Sequence, residues 1–309
     1  MPIKHLVIAG GGPIGLQYIG TLKYLNEEGF WNFDDIESIY ATSIGTFIGA
    51  CICLKYDWST LINYVINRPW HDAFKLNGKQ IFDAFYNKGL YDKKVIEIVF
   101  KPLLEAKDLS LNITLKEFYE YSKIEFYFYT FELNKFETTE ISYKTHPDLL
   151  LMQAIHMSSA LPGIFTPTCI GNECFIDGGV IDNYPLSYCL NAHPNPDEIL
   201  GITFYRDLSK PDAYKNNIVT EESSVIEFSI GFFINAMNYI FRNEKKMNIE
   251  NQVECANDNN FLTLEVIQKS LNSIDMRKEW IERGITDAKL FLEKRNKEPF
   301  IEPCVKIAP

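Results

Sequence analysis

The chain has 309 residues, 46% of them hydrophobic, with 30 Lys and Arg against 41 Asp and Glu for a formal net charge of −11. This length suffices for one large α/β domain or two small ones, and the hydrophobic fraction excludes a disordered chain. The acidic balance argues against nucleic acid, which asks for basic patches, and against electrostatic docking on anionic membrane, while hydrophobic insertion stays open.

In chain order, His5 to Ala9 is a short apolar run that reads as a strand, ending in Gly10-Gly11-Gly12-Pro13-Ile14-Gly15. A helix is expected from Leu16, with Ile19, Leu22, Tyr24 and Leu25 apolar and Gly29 as its C-cap. A strand, a glycine loop and a helix form a place where backbone N–H groups converge on an anion. The loop also fits the dinucleotide-binding pattern, which wants an acidic residue at the end of the second strand. That strand ends in Ala41-Thr42-Ser43, and Asp34 and Asp35 precede it, so the nucleotide reading fails. Donation to an oxyanion formed at Ser43 fits better, with a plain glycine turn as the alternative.

Ile36 to Tyr40 reads as a buried strand, and Ile44, Phe47, Ile48, Cys51, Ile52 and Leu54 recur at helical spacing. Ala41-Thr42-Ser43-Ile44-Gly45 lies between them. Small residues at Ala41 and Gly45 allow a sharp turn that thrusts Ser43 out at a helix N-terminus, the layout of a G-x-S-x-G nucleophile elbow with Ala41 for its first Gly. A Ser before a helix also reads as an N-cap.

From Asp57 to Asp108 the pattern is mostly helical: Trp58, Leu61, Ile62, Val65 and Ile66 share a face, and Leu90 to Leu104 is expected as one helix. Leu115 to Tyr121 reads as a short helix, Glu125 to Phe131 as an aromatic strand and Thr138 to Tyr143 as a shorter one. A helix then ends near Ser158, before a loop stiffened by Pro162 and Pro167. Phe175-Ile176 delivers Asp177 to a turn made of Gly178 and Gly179, where its carboxylate can approach another group or simply form the turn.

The seven cysteines, Cys51, Cys53, Cys169, Cys174, Cys189, Cys255 and Cys304, are irregularly spaced and are expected as small buried hydrophobes in a reducing compartment. Cys169 and Cys174 with His193 resemble zinc ligands, but no second pair follows at zinc-site spacing. No apolar stretch of about 20 residues occurs, and the N-terminus runs straight into a strand without a signal peptide. The expected location is cytoplasmic, with peripheral contact at membranes. Val225 to Phe241 is strongly apolar: Ile226, Ile230, Phe233, Ile234, Met237, Ile240 and Phe241 share one face, and Phe228, Phe232 and Tyr239 add a second side. A core helix is the default; a membrane-facing or acyl-chain-lining helix is the alternative.

Taken together in order, Gly10–Gly15, Ala41–Gly45, Ser158-Ser159-Ala160-Leu161-Pro162 and Asp177-Gly178-Gly179 with Asn183-Tyr184-Pro185 resemble the patatin-like phospholipase family of lipid acyl hydrolases. The likeness continues more faintly through Ile199–Phe204 to a final helix, Arg277 to Arg295, interrupted by Gly284. The resemblance implies an α/β fold, a mostly parallel central sheet with helices on both faces in a three-layer domain. It implies a single domain over 1–309, with a motif-bearing core of about 5–206 and a helical C-terminal part of about 222–296. It further implies a phospholipase A or lysophospholipase-type esterase without metal or organic cofactor, acting on lipid or phospholipid. Ser43 is then the nucleophile, Asp177 the base, and Gly10, Gly11, Gly12 and Gly15 the oxyanion loop, with Ala41, Gly45, Gly178 and Gly179 as supporting positions. Ile14 stands where the family loop usually has a basic residue, and Ala41 where its elbow has Gly. A weakly catalytic lipid- or partner-binding module is the alternative. A Ser-His-Asp triad is the rival chemistry, yet His5, His71, His146, His156 and His193 lack a supporting context; His156, near the Pro loop, is the one to test.

Overall fold

Strand pairing begins with the two apolar runs nearest the N-terminus. The computed structural model describes residues 1–75, 78–205, 219–225, 227–229, 231–232, 235–236, 239, 247–256 and 264–297. In it β1 (His5–Ile8) lies parallel to β2 (Ser38–Thr42). On its other side β1 takes β9 (Ile199–Phe204), which in turn takes β10 (Gln252–Cys255), again in parallel. β2 continues in parallel onto β4 (Glu125–Glu132). Beyond β4 the sheet turns antiparallel: β5 (Glu137–Ile141) and β8 (Glu173–Asp177) run against β4, and β7 (Thr168–Ile170) against β8. β3 (Gly89–Tyr91) and β6 (Gly163–Phe165) form a separate small pair.

Every residue of β1 and β2 is buried, as parallel strands covered on both faces require. Their side chains alternate between two cores. Leu6, Ile8, Ile39, Ala41, Phe126 and Phe128 face one apolar cluster, and Val7, Tyr40, Tyr127 and Tyr129 the other. The first cluster holds α1 (Gly15–Glu27), α2 (Ile44–Cys53), α3 (Trp58–Asn67), α6 (Lys93–Glu105), α7 (Leu115–Ser122) and α8 (Leu151–Ser159). The second is closed by α9 (Leu186–Ala192). The short α4 (Trp70–Ala73) and α5 (Gly78–Asn87) precede β3, and α10 (Leu264–Asn272) and α11 (Ile274–Lys297) follow β10.

Two contacts anchor the late helices. α1 and α11 cross so closely that a Cβ on Gly20 would lie 2.0 Å from the Ile281 carbonyl oxygen, and one on Gly284 1.9 Å from that of Gln17. Thr21 Oγ1 donates to the Gly284 carbonyl across the same crossing at 2.9 Å. Arg277 is buried without a carboxylate partner among the hydrogen bonds it makes. Its guanidinium donates to the carbonyls of Ile66 (2.9 and 2.7 Å), Ser270 (2.8 Å) and Leu271 (2.9 Å), at the C-terminal ends of α3 and α10. Unpaired carbonyls at the negative end of a helix dipole are the groups suited to hold a buried cation.

The structure departs from the sequence reading at several points. The segment expected as one helix from Leu90 is split: Asp92 accepts the Lys94 N–H at 2.9 Å and starts α6 at Lys93, leaving Gly89–Tyr91 extended against β6. The C-terminal part expected as helical contributes β10, because Gln252 to Cys255 find open pairing groups on β9. Cys169 and Cys174, expected as free thiols, are register partners across β7 and β8, with Cα atoms 4.0 Å apart, and form a disulfide. Cys53, Cys189 and Cys255 are buried and free, and Cys51 is half-buried. Cys304 lies outside the described residues, as do Ile226, Ile230, Phe233, Ile234, Met237, Ile240 and Phe241, the face assigned to the core in the helix expected from Val225. The described residues of that segment are helical at 225, 227–229, 231–232, 235–236 and 239, with Val225, Phe228, Phe232 and Tyr239 exposed.

The α1–α11 crossing is directly testable. Gly284→Val should cost about 3 kcal/mol of unfolding free energy in urea denaturation, because backbone, not a flexible side chain, meets the new Cβ.

Candidate active site

Strand register brings Ser43 and Asp177 together. Thr42, the last residue of β2, is aligned with Tyr129 of β4, and Asp177, the last of β8, with Thr130. β5 occupies the other edge of β4 at both residues. β2 and β8 therefore share one edge of β4, arrive from opposite directions and stop at adjacent positions, and Ser43 follows Thr42.

The turn from β2 into α2 is sharp. Ser43 has φ 53° and ψ −124°, a region costly for a residue with a Cβ. A Cβ on Gly45 would stand 2.4 Å from the Ile8 carbonyl oxygen, so this close approach of α2 to the end of β1 excludes any side chain. Ala41 is fully buried in the sheet, where its methyl is accommodated. Ser43 makes no side-chain cap to its own helix. Its Oγ instead donates to Asp177 Oδ2 at 2.7 Å, while Asp177 Oδ1 accepts the Gly179 N–H at 2.8 Å. Asp177 thus both forms the turn and turns its second oxygen to Ser43. Its carboxyl is buried, which pushes its pKa up to about 6 against the opposing pull of the Ser43 hydroxyl and the Gly179 N–H.

The glycine loop borders the same site. Gly10 is tied to Asn183 twice: its N–H donates to the Asn183 carbonyl at 3.1 Å, and Asn183 Nδ2 donates to its carbonyl at 3.2 Å. Asn183 Oδ1 would lie 2.4 Å from a Cβ on Gly10 and 2.6 Å from one on Gly179, so this side chain fills the space between the loop and the Asp177 turn. Gly12 adopts φ 54°. The N–H groups of Gly11 and Gly12 have no hydrogen-bond acceptor among the described residues. Gly15 opens α1 against Ile44 of α2, Gly178 packs on the Tyr129 carbonyl, and Ile14 is fully buried. Ser43, Asp177 and the glycine loop therefore lie together, but Gly10 and Gly15, expected among the oxyanion donors, have no free N–H: Gly10 donates to the Asn183 carbonyl and Gly15 to the carbonyls of Gly12 and Pro13.

The histidines do not. His156 is buried, Nδ1 pairs with Thr168 Oγ1 at 3.0 Å, and burial pushes its pKa down to about 4. His5 and His193 stack on each other with centroids 3.6 Å apart. Among the described residues no group of three or more His, Cys, Asp or Glu side chains is arranged to hold a metal ion.

A cavity of about 560 Å³ opens from Ser43, Asp177, Gly11 and Gly12 and runs between the helices past Phe47, Leu61, Trp70, Phe100, Phe165 and Leu271. Its walls are overwhelmingly apolar, and its volume is that of a small-molecule site. Sequence reasoning assigned no role to Ser158 or Asn183. Both lie inside the motif segments, beside another polar residue, Ser159 or Asp182.

Residues 6–190 match the family model described as patatin-like phospholipase. The chain belongs to the patatin-like phospholipase family. A probable lipid hydrolase of Invertebrate iridescent virus 6 is 24% identical over 192 residues, 62% of this chain and 64% of that protein. A lysophospholipase of Kluyveromyces lactis is 24% identical over 196 residues, 59% of this chain but 11% of its own length. This patatin-like chain thus matches less than two thirds of either relative. The crystal structure of VipD from Legionella pneumophila superposes with a TM-score of 0.50 at 15% identity, covering 94% of this chain and 67% of that one, and shares the fold.

The raised Asp177 pKa has a thermodynamic sign. The native state holds the proton more tightly than the unfolded chain, whose Asp titrates near 4, so this residue's contribution to stability declines as pH rises from about 4 to about 6. Asp177→Asn removes that decline. Between pH 4 and pH 7 its unfolding free energy, measured in urea, should rise relative to wild type by on the order of 2–3 kcal/mol.

Proposed function

We propose that this patatin-like protein is a serine hydrolase of lipid acyl esters, with phospholipid or lysophospholipid as substrate class. Ser43 Oγ attacks the ester carbonyl carbon while Asp177 takes its proton. The resulting oxyanion is held by the free N–H groups of Gly11 and Gly12, donors of a kind worth roughly 3–4 kcal/mol each. Asp177 returns the proton to the departing alcohol, leaving an acyl-Ser43. Water then repeats the sequence and releases the fatty acid. The observation that carries this reading is the 2.7 Å bond from Ser43 Oγ to a buried carboxylate at the polar end of an apolar cavity. The Lipid names of the iridescent-virus and yeast relatives agree with it.

Ser43→Ala and Asp177→Asn should each abolish turnover of phospholipid and p-nitrophenyl esters with the fold intact, and the double variant should be no worse than either, because such residues act as a unit. Gly12→Val should abolish turnover with Ser43 in place. Since Asp177 acts ionised, kcat/KM should fall as pH drops below about 6. Full activity in either single dyad variant would refute the dyad.

We also propose contact with a lipid surface at the cavity mouth. Glu227 lines the cavity and Phe228 beside it is 54% exposed; α5 lies between Phe74 and Tyr91, which both line the cavity, and its Phe82 is 78% exposed. Phe82→Ser with Phe228→Ser should lower hydrolysis in vesicles several-fold while soluble-ester turnover and melting temperature hold. A fall in melting temperature together with soluble-ester turnover would assign these rings to the core instead.

A further inference from the structure

We propose that the C-terminal end of α8 positions the dyad, with Ser158 as the positioning residue; this rests on Ser43 and Asp177 being the reacting pair. The last carbonyls of a helix lack partners within it. Here they are taken up by the site. The Ser43 N–H donates to the Ser158 carbonyl at 3.1 Å, and the Asp177 N–H donates to the Ala160 carbonyl at 3.0 Å. Thr130 Oγ1 lies between the carbonyls of Ile176 (2.7 Å) and Met157 (3.0 Å) and shares its single proton with them. Both reacting residues thus hang by their backbone from one three-residue segment.

Ser158 adds a second tie with its side chain. Its Oγ accepts the Ser43 N–H at 3.0 Å and donates to the Tyr129 carbonyl at 2.5 Å. Tyr129 and Thr130 are the β4 residues aligned with Thr42 and Asp177. The segment and β4 therefore close a frame around the pair, fixed on one side by strand register and on the other by the helix end. Ser158 itself is fully buried, and its hydroxyl bonds the Ser43 N–H and the Tyr129 carbonyl rather than the Ser43 hydroxyl. Its hydroxyl holds the Ser43 backbone at φ 53°, an angle that an unsupported serine leaves readily. It also occupies the Ser43 N–H, which is therefore not free to act as an oxyanion donor.

The test compares Ser158→Ala and Ser158→Cys, the latter keeping the volume but replacing the hydroxyl by a weak acceptor, on a soluble p-nitrophenyl ester. kcat should fall about tenfold to a hundredfold, the cost of a small misplacement, with KM within about twofold. Labelling of Ser43 by a fluorophosphonate should slow in parallel. Thr114→Ala, which removes the capping box of α7, is the control for stability loss alone and should keep wild-type kcat. Wild-type kcat and labelling rate in either Ser158 variant, or an effect confined to KM, would overturn the positioning role. In the wild type, the Ser43 amide should resist hydrogen exchange as core strand amides do, and rapid exchange would overturn it without any variant. Ser43→Ala run alongside separates the two readings: retained turnover there sinks the dyad, whereas a dead Ser43→Ala beside fully active Ser158 variants sinks only the positioning.

Discussion

One edge of β4 accommodates two strands end to end, and the site depends on that sharing. β2 reaches Tyr129 from below and β8 reaches Thr130 from above. Neither can be extended, because each blocks the other's next pairing position. Each chain must leave the sheet where it stops, β2 into the elbow and β8 into the Gly178-Gly179 turn. The contact between Ser43 and Asp177, 134 residues apart in sequence, follows from this collision. The glycine loop joins the same point because β1, parallel to β2, ends beside it. That is the general position of ligands in open α/β sheets, outside the carboxyl ends of parallel strands.

The site combines groups that oppose stability with a scaffold that tolerates them. Asp177 is buried and is destabilising when ionised; Ser43 holds a strained backbone angle. Both costs are offset locally by hydrogen bonds from rigid elements, the Gly179 N–H on one side and the α8 carbonyls on the other. The cavity wall has a similar arrangement farther out, where the Arg277 charge rests on the carbonyl ends of α3 and α10. Among the described residues no carboxylate pairs with it; carbonyl dipoles solvate the guanidinium without bringing a second charge into an apolar wall.

Local features were legible in the sequence and long-range ones were not. The Gly10–Gly15 loop, the elbow at Ser43 and the turn at Asp177 each carry their signature within a few residues, because small residues mark places where backbones approach closely. The apolar runs disclosed β1, β2, β4 and β9 and most of the helices between them, though not α9. The strands missed, β3, β6, β7 and β10, are three or four residues long; β3, β6 and β10 are made by partners far along the chain, so no periodicity announces them, and β7 is made by its turn onto β8. The same holds for Cys169 and Cys174, whose pairing depends on the register of β7 with β8. Ser158 and Asn183 lay inside motifs recognised as motifs, yet their roles need to be read from what their side chains bridge. Asp177 was legible as a residue in a tight turn; its raised pKa depends on burial, which only the packed structure reveals.

The crossing of α1 and α11 bears on the order of events during synthesis. α1 carries the glycine loop at its N-terminal end, and its contact at Thr21 is with Gly284, 263 residues later. On the ribosome the loop, the elbow and the Asp177 turn all emerge before the helix that braces α1. Until α11 emerges and docks, α1 lacks the partner that meets Gly20 and Thr21. The brace on the helix that follows the glycine loop is thus among the last contacts of the described chain to form as it emerges.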